Sequence, residues 1–388
     1  MIAGRTVLLL GSSLLISWGT TYYLAGVLGE RMAHDLDWPL STIHGGFTLA
    51  LLIMAALSAP AGRLIDRHGG RWIMIAGALC GAAGCALMAW AQTVLPHYAA
   101  WALIGIAMRL TLYDAAFAVL ARIGGPDSGP AMSKITLLGG LASTVFWPFG
   151  HVLAEHFGWR GALVVYALCL LATIPLHLAL PQSRFEAPPG DENGRDFAPP
   201  LDARKTLAAG RLYAIIFALS HFLSSAMAAH LVTLLTGLGV ALGAAVTIGG
   251  LRGIGQVAGR FWQVVWGTHI HPVRLTIGAM AVAALAFGGA LTGGASWIAA
   301  AVFVLFYGAG HGILSITQGT LPLLMFDHRI YGARTGALLI PGFVAAALAP
   351  FLFALLIEHF GTRAALIACI ALALGAMFAA LALRRLLR

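Results

Sequence analysis

The chain alternates long apolar stretches with short polar segments, and the lengths of the apolar stretches predict its architecture. A helix that crosses a bilayer needs about 20 apolar residues, because each residue advances it by about 1.5 Å through a hydrocarbon core about 30 Å thick. Twelve stretches fit, near residues 6–28, 42–62, 72–91, 97–120, 134–154, 161–181, 211–236, 241–259, 273–293, 296–321, 333–356 and 364–383. We therefore expect an all-α membrane protein with twelve transmembrane helices.

A polar segment, residues 182–210, divides the predicted helices into two groups of six. Its prolines are Pro188, Pro189, Pro199 and Pro200. Proline-rich polar sequence favours an extended linker over a packed element. We predict a first six-helix bundle at 1–181, a cytoplasmic linker at 182–210 and a second six-helix bundle at 211–388.

The two groups of helices carry related sequences. Residues 153–163 read LAEHFGWRGAL and residues 356–366 read LIEHFGTRAAL, with eight identities in eleven positions. The spacing of 203 residues is just over half of the 388-residue chain. A repeat at half the length of an apolar chain is typical of transporters built from two related bundles. We expect the two bundles to be pseudo-symmetric.

The composition supports a membrane protein, since 60% of the residues are hydrophobic and only 10% are charged. Soluble domains contain about 25% charged residues. The four cysteines fall inside apolar stretches and suggest neither a disulfide framework nor a zinc site, so we expect no metal and no cofactor. The apolar run after Arg5 is too long for a signal-peptide core, and we expect it to remain in the mature protein.

The net charge of +9 follows the predicted topology. With the N-terminus inside, 18 of the 23 Lys and Arg residues are cytoplasmic; Arg31, Arg160 and Arg363 are outside, and Arg109 and Arg252 are within the membrane. Cytoplasmic loops of membrane proteins carry such an excess of positive charge. We predict a multi-pass, monomeric protein of the cell inner membrane with both termini cytoplasmic, in contact with lipid and not with nucleic acid.

A short motif between the second and third predicted helices is informative: residues 62–71 read GRLIDRHGGR. This segment resembles the signature G-x-L-x-D-R-x-G-R-[RK] of the major facilitator superfamily, with Gly70 in place of the first of the two final basic residues. In that family the loop is implicated in locking the two bundles in the outward-facing state. The resemblance implies a gating motif formed by Gly62, Asp66, Arg67, Gly69 and Arg71.

The residue types of this motif indicate what each position can do. Gly62 lacks a side chain and lets another helix pack closely. Asp66 can accept N–H groups at the start of a helix, or it can pair with Arg67 or Arg71. In the second half, Gln263 stands where Asp66 would be. We therefore expect the first half to carry more of the gating charge.

Ionisable side chains inside a bilayer cost about 2.5–3.5 kcal/mol each on insertion scales, so those that occur are candidates for function. Arg252 lies eight residues before Arg260, about 12 Å along the helix, near the midplane where such transporters bind cargo. It is similar to the helix-8 arginine that binds the substrate carboxylate in the monocarboxylate transporter branch. Ile248 replaces the acidic residue common four positions earlier in that branch, and a purely structural role for Arg252 stays open.

The beginning of the chain resembles the related oxalate/formate antiporter branch. The matching residues are Trp18-Gly19-Thr20, Asp37-Trp38-Pro39-Leu40-Ser41 and the segment from Gly62 to Gly69. Both resemblances imply a small organic anion as substrate.

Arg109 and Asp114 are further candidates in the fourth predicted helix. Drug/proton antiporters of the superfamily carry an arginine at the position of Arg109, but the Q-G that follows it there is Leu112-Tyr113 here. In a continuous helix Asp114 lies about 140° around from Arg109, so the two would not face each other. Arg109 is a candidate for binding substrate and Asp114 for carrying a proton, while structural roles are open for both.

Several uncharged side chains could complete a site. Trp18, Tyr22, Tyr23 and Trp147 lie deeper than the interfacial belt typical of Trp and Tyr, where they would line a cavity or fill a bundle core. His311 is a candidate for binding substrate and for carrying a proton, because histidine titrates near neutral pH. The alternative for His311, as for His221 and His230, is a neutral hydrogen-bonding residue.

Together these features predict a secondary active transporter that works by alternating access. Its expected cargo is a small organic anion such as a monocarboxylate, held by Arg252 and Arg109, with or without a coupled proton. Proton-coupled efflux of an amphipathic drug-like compound or of a metalloid oxyanion is the alternative. A membrane-embedded enzyme is a remote alternative, because the sequence has no HExxH, paired-aspartate or GxSxG motif.

Overall fold

The computed structural model describes residues 2–186 and 202–387, and every regular element in these ranges is helical. The predicted all-α class is confirmed. Residues 187–201, which include the four prolines of the predicted linker, lie outside the described residues.

By packing, the described residues form two units. The first contains residues 2–186 together with 326–340, and the second contains 202–325 together with 341–387. The first unit thus includes a segment far along the chain. The predicted boundaries at 181 and 211 stay a prediction.

The first unit contains nine α-helices in its continuous part. They are α1 (Gly4–Ser17), α2 (Leu24–Leu36), α3 (Leu40–His68), α4 (Gly70–Trp90), α5 (Val94–Thr111), α6 (Tyr113–Gly124), α7 (Gly129–Gly140), α8 (Ala142–Leu171) and α9 (Ile174–Leu178). A π-helical turn at Trp18–Tyr22 connects α1 to α2. Leu112 is extended (φ −83°, ψ −169°) and separates α5 from α6. The first and fourth membrane passes are therefore interrupted helices.

Five α-helices follow. They are α10 (Ala203–Gly237), α11 (Leu242–Val265), α12 (Pro272–Gly293), α13 (Trp297–Thr320) and α14 (Tyr331–Leu386). Eight helical stretches in the described residues are long and apolar enough to cross a membrane. Two of these, Val94–Leu178 with 85 residues and His328–Leu386 with 59, are too long for a single pass. With α11, which carries two arginines, the described helices account for the twelve predicted passes.

The repeated sequence forms the same turn in both halves. Gly158 within α8 has φ 68° and ψ 170°, and Gly361 within α14 has φ 80° and ψ 172°. Only glycine adopts this conformation without strain. The two glycines are 203 residues apart, which is the spacing of the repeat. Each one divides a long helical stretch into two passes.

In the second unit, α11 packs closely on α13 through small residues. A Cβ atom on Gly255 or Gly259 would collide with the main chain of α13, and one on Gly308 would collide with the Arg252 carbonyl oxygen. Small residues bring helix backbones into close contact in membrane proteins. This contact fixes Arg252 next to the polar face of α13.

Candidate functional site

Arg252 lies on α11 and turns its guanidinium towards α10 and α13. Its Nη2 donates to the main-chain oxygen and to the Oγ of Ser224, at 3.1 and 3.2 Å. The guanidinium carbon lies 5.7 Å from the centroid of the Tyr307 ring, within cation–π range. Nε is buried without a hydrogen-bond partner. None of the ion pairs found within 2–186 and 202–387 involves Arg252, so it keeps an unused donor and an uncompensated charge.

His311 joins Arg252 through Ser224. The Nε2 atom of His311 lies 3.0 Å from Ser224 Oγ, and the imidazole stacks on Tyr307 with 6.4 Å between the ring centroids. The structure therefore brings together two residues predicted from sequence, Arg252 and His311. Sequence reasoning missed Ser224 and Tyr307, because a single hydroxyl side chain in an apolar helix belongs to no motif. We call these four residues the Arg252 cluster.

The other membrane histidines make hydrogen bonds of their own. His221 Nε2 donates to Gln318 Oε1 at 3.0 Å, and His230 Nε2 donates to the Pro350 carbonyl oxygen at 2.8 Å. Since amide and carbonyl oxygens only accept, both rings carry a proton on Nε2. His230 thus serves as a hydrogen-bond donor to the main chain of α14.

Arg109 is enclosed in the first unit, with only 1% of its surface exposed. Its Nη2 donates to the Ser58 carbonyl oxygen on α3 at 2.7 Å. The carboxylates of Asp114 and Asp66 are near enough to attract its charge. The break at Leu112 starts a new helix before Asp114, so the angle expected for a continuous helix does not apply. Its Nε and Nη1 are buried without hydrogen-bond partners. A substrate would reach this enclosed guanidinium only if neighbouring side chains moved.

Asp66 caps the start of α14. Its Oδ1 accepts from the Gly332 N–H at 2.9 Å, and its Oδ2 accepts from the Ala333 N–H at 2.8 Å. The first N–H groups of a helix have no partner within the helix, and negative charge is favoured there. Gly62 lies against the Gly332 carbonyl oxygen, where a Cβ atom would collide. Of the two contacts expected for Asp66, the structure has the one to a helix start.

The basic residues of the motif have separate contacts. Arg71 donates from Nε and Nη2 to the Leu180 carbonyl oxygen, at 3.2 and 2.7 Å, while Arg67 is exposed. Gly69 has φ 83° and forms the turn between α3 and α4. Neither arginine is hydrogen-bonded to the Asp66 carboxylate.

Two arginines outside the motif surround Asp66, and sequence reasoning missed both. Arg122 donates to the Asp66 main-chain oxygen at 3.3 Å and to the carbonyl oxygens of Gln182 and Ser183, at 2.8 and 3.0 Å. Arg184 donates to the Arg329 carbonyl oxygen at 3.2 Å. The chain after α9 is thereby attached to the segment that leads into α14. These contacts join positions distant in sequence, and the sequence held no signal for them.

The π-helical turn presents an aromatic group. Trp18 lies 4.7 Å from Tyr22, 6.0 Å from Tyr23 and 5.0 Å from Tyr113, between ring centroids. The Nε1 of Trp18 is buried without a hydrogen-bond partner. Trp147 is 49% exposed and makes no ring contact within the part of the chain that the structure describes. The structure thus groups three of the four predicted aromatic residues, adds Tyr113 and leaves Trp147 apart.

A family model described as Major Facilitator Superfamily matches residues 10–338. The match covers most of the 388 residues. The chain belongs to the Major Facilitator Superfamily. Membership confirms the family inferred from residues 62–71, which is a family of multi-pass membrane transporters.

Solved structures of the superfamily share its fold. The chain is similar to the human organic anion transporter MFSD10 (TETRAN), with a TM-score of 0.75, 17% identity and coverage of 97% of this chain and 99% of that one. It is also similar to the proton:xylose symporter XylE, with a TM-score of 0.76, 16% identity and coverage of 99% and 95%. At these identities the likeness concerns the fold alone.

Curated relatives match parts of the chain. Monocarboxylate transporter 11 of Mus musculus is 28% identical over 149 residues, which are 38% of this chain and 31% of that protein. The multidrug resistance protein MdtL of Shigella dysenteriae serotype 1 (strain Sd197) is 28% identical over 187 residues, or 47% and 46%. The matched region spans less than half the length of either relative.

Proposed function

We propose that this superfamily member is a secondary active transporter of a small organic anion, and that Arg252 binds the anionic group. The observation that carries the proposal is the state of Arg252: its Nε donor is buried and unused, and no carboxylate pairs with it within the described ranges. Arg252 is partly buried, and a charge removed even in part from water is costly without a partner. An anionic substrate would supply the missing partner.

The chemistry around Arg252 suits a carboxylate. A guanidinium offers parallel N–H donors that match the two oxygens of a carboxylate. The Ser224 hydroxyl lies beside these donors, at 3.2 Å from Nη2, and Tyr307 provides an apolar wall. One arginine with one hydroxyl and one aromatic ring fits a small monocarboxylate better than a polyanion.

The name of one relative supports the same substrate class. The mouse relative is named a monocarboxylate transporter. The match covers 38% of this chain, so it adds to the argument from Arg252 and does not replace it.

Proton-coupled efflux of an amphipathic compound is the second candidate. It is favoured by the similarity to MdtL and by the aromatic group around Trp18, whose indole N–H is buried and unpaired. Aromatic surface with a polar handle suits amphipathic ligands. Arg109 and Asp114 would then be the charged residues concerned.

We propose further that the protein resides in the cell inner membrane with both termini in the cytoplasm. The excess of Lys and Arg in the predicted cytoplasmic loops supports this orientation. In this orientation we propose that residues 1–181 form the first bundle, residues 182–210 a cytoplasmic linker and residues 211–388 the second bundle.

Ligand-induced thermal stabilisation of the purified protein tests the substrate class. A ligand that binds only the folded protein raises its apparent melting temperature. We expect acetate, lactate or pyruvate to stabilise the protein, and amphipathic cations or arsenite to have little effect. The reverse pattern would support efflux of drug-like compounds or metalloid oxyanions.

Substitution of Arg252 tests the residue. Arg252→Lys keeps the charge and loses the planar donors, so it should weaken carboxylate binding, and Arg252→Ala should weaken it by about 2–5 kcal/mol. Arg211→Ala, at an exposed arginine on α10, is the control and should bind normally. Normal carboxylate binding by Arg252→Ala would refute the proposed role, as would a variant that only lowers the unliganded melting temperature.

A further inference from the structure

We propose that His311 takes up the coupled proton, and that proton and anion bind cooperatively in the Arg252 cluster. This inference rests on the proposed function, since it assumes that an anion binds to Arg252. It adds the identity of the proton carrier and a physical reason for the coupling. The argument comes from hydrogen-bond direction and from the charges that surround His311.

The hydrogen bonds of the cluster accommodate a neutral His311 before an anion binds. Arg252 can only donate, so Ser224 Oγ accepts from Nη2. The hydroxyl proton of Ser224 is then free to point at His311 Nε2, which lies 3.0 Å away. In this arrangement Nε2 is an acceptor, and the imidazole is neutral.

The permanent charges that act on His311 before an anion binds are positive. They are Arg252 and Arg260 on α11, with the titratable His221 on α10. No carboxylate is among the groups that act on His311 within the described residues. A proton on the imidazole would therefore add a positive charge beside two permanent cations.

An anion on Arg252 reverses this balance. Its negative charge offsets that of the guanidinium, so a proton on His311 now meets attraction from the bound anion. The protonated Nε2 donates to Ser224 Oγ, and the Ser224 hydroxyl proton turns towards an oxygen of the anion. Each ligand thereby favours the other, and by thermodynamic linkage the effect is reciprocal. The proton comes from solution, and no covalent bond changes.

His311 also offers a titratable group where the chain lacks an acidic residue near Arg252. Ile248 occupies the place four residues before Arg252 where the similar branch carries an acidic group. An acidic residue there would compensate Arg252 before substrate binds. Here the Ser224 hydroxyl connects His311 on α13 to Arg252. The imidazole therefore provides a group near Arg252 that can carry a proton.

Proton uptake on anion binding tests the inference. Isothermal titration with pyruvate or lactate, in buffers of different ionisation enthalpy, gives the number of protons bound per anion. For the wild-type protein we expect close to one proton at a pH where His311 is neutral in the unliganded protein. Affinity should then rise about tenfold for each unit by which the pH falls.

His311→Gln removes the titration while an amide keeps a hydrogen bond to Ser224. We expect this variant to bind pyruvate with little pH dependence and near-zero proton uptake. In proteoliposomes it should exchange labelled anion but not accumulate it in response to a proton gradient. His230→Gln, on α10 outside the Arg252 cluster, is the matched control and should keep wild-type uptake.

The possible failures are distinguishable. If wild-type protein binds none of the carboxylates, the proposed function fails and this inference fails with it. If it binds them without proton uptake, or if His311→Gln keeps the uptake, only the inference fails. Loss of uptake in Asp114→Asn, with uptake retained in His311→Gln, would assign the proton to Asp114. Binding without proton uptake by the wild-type protein would refute the inference even if His311→Gln does not fold.

Discussion

Arg109 and Arg252 both lie in apolar helices, but their surroundings differ. Arg109 is 1% exposed and has the carboxylates of Asp66 and Asp114 nearby. Arg252 is only partly buried, and its contacts are a hydroxyl, a carbonyl oxygen and an aromatic ring. Both arginines keep unused donors, Nε and Nη1 in Arg109 and Nε in Arg252. They differ in access, because Arg109 is enclosed beside two carboxylates whereas Arg252 is partly exposed.

Asp66 provides a test of the helix cap. Asp66→Asn keeps one oxygen acceptor, but it leaves either the Gly332 or the Ala333 N–H without a partner and removes the negative charge. We expect a loss of about 0.5–2 kcal/mol in stability and impaired transport, with substrate affinity within a few-fold of wild type. Melting temperature, transport rate and ligand binding measure these three effects.

Asp37→Asn is the control for Asp66→Asn. Asp37 is exposed and has φ 54°, a conformation that asparagine also tolerates. It should leave stability and transport unchanged. A selective loss of binding in Asp66→Asn, or normal transport, would contradict a role confined to capping and gating.

At the scale of elements, substitutions in the repeated turn at Gly158 and Gly361 measure backbone strain without a packing contribution. A Cβ atom on Gly158 or Gly361 would meet nothing within 4 Å, so an alanine there has room. The cost comes from φ values of 68° and 80°, which disfavour any residue with a side chain. We expect Gly158→Ala and Gly361→Ala each to destabilise the protein by about 1–3 kcal/mol, seen as a lower melting temperature.

Gly278→Ala gives the matched control for these two variants. Gly278 lies within α12, has no positive φ, and a Cβ atom added there would also meet nothing within 4 Å. Alanine favours a helix over glycine by about 1 kcal/mol, so this variant should be neutral or stabilising. Equal melting temperatures for Gly158→Ala and Gly278→Ala would show that the left-handed turn is not required.

The elements also show what the sequence could predict. Pass number, the repeat and the position of Arg252 follow from apolar length and residue spacing, which are local properties. The π-helical turn at Trp18–Tyr22 and the break at Leu112 do not follow from local sequence. Both are backbone irregularities stabilised by tertiary contacts such as Trp18 with Tyr113. The contact of Asp66 with α14 spans 266 residues, and only its chemistry, a carboxylate at a helix start, could be anticipated.

At the scale of the whole molecule, the charges favour one orientation. Of the three arginines predicted to lie outside, Arg31 is within 3.9 Å of Glu155 and Arg160 is paired with Asp35. Outside charge is thus partly neutralised, while the loops predicted to be cytoplasmic keep their excess of Lys and Arg. Lys and Arg set the orientation of membrane proteins and acidic residues add little to it, so the predicted topology rests on the excess of Lys and Arg in the cytoplasmic loops and not on these ion pairs.

Cysteine accessibility tests the orientation directly. Ser183 and His359 are both exposed, and the predicted topology places Ser183 in the cytoplasm and His359 outside. In a background without the four native cysteines, Ser183→Cys should react with a membrane-impermeant maleimide only after permeabilisation, whereas His359→Cys should react in intact cells. The opposite labelling pattern would invert the topology, because both positions would have exchanged sides. Labelling of both in intact cells would place the two positions on one side and would contradict an odd number of passes between them.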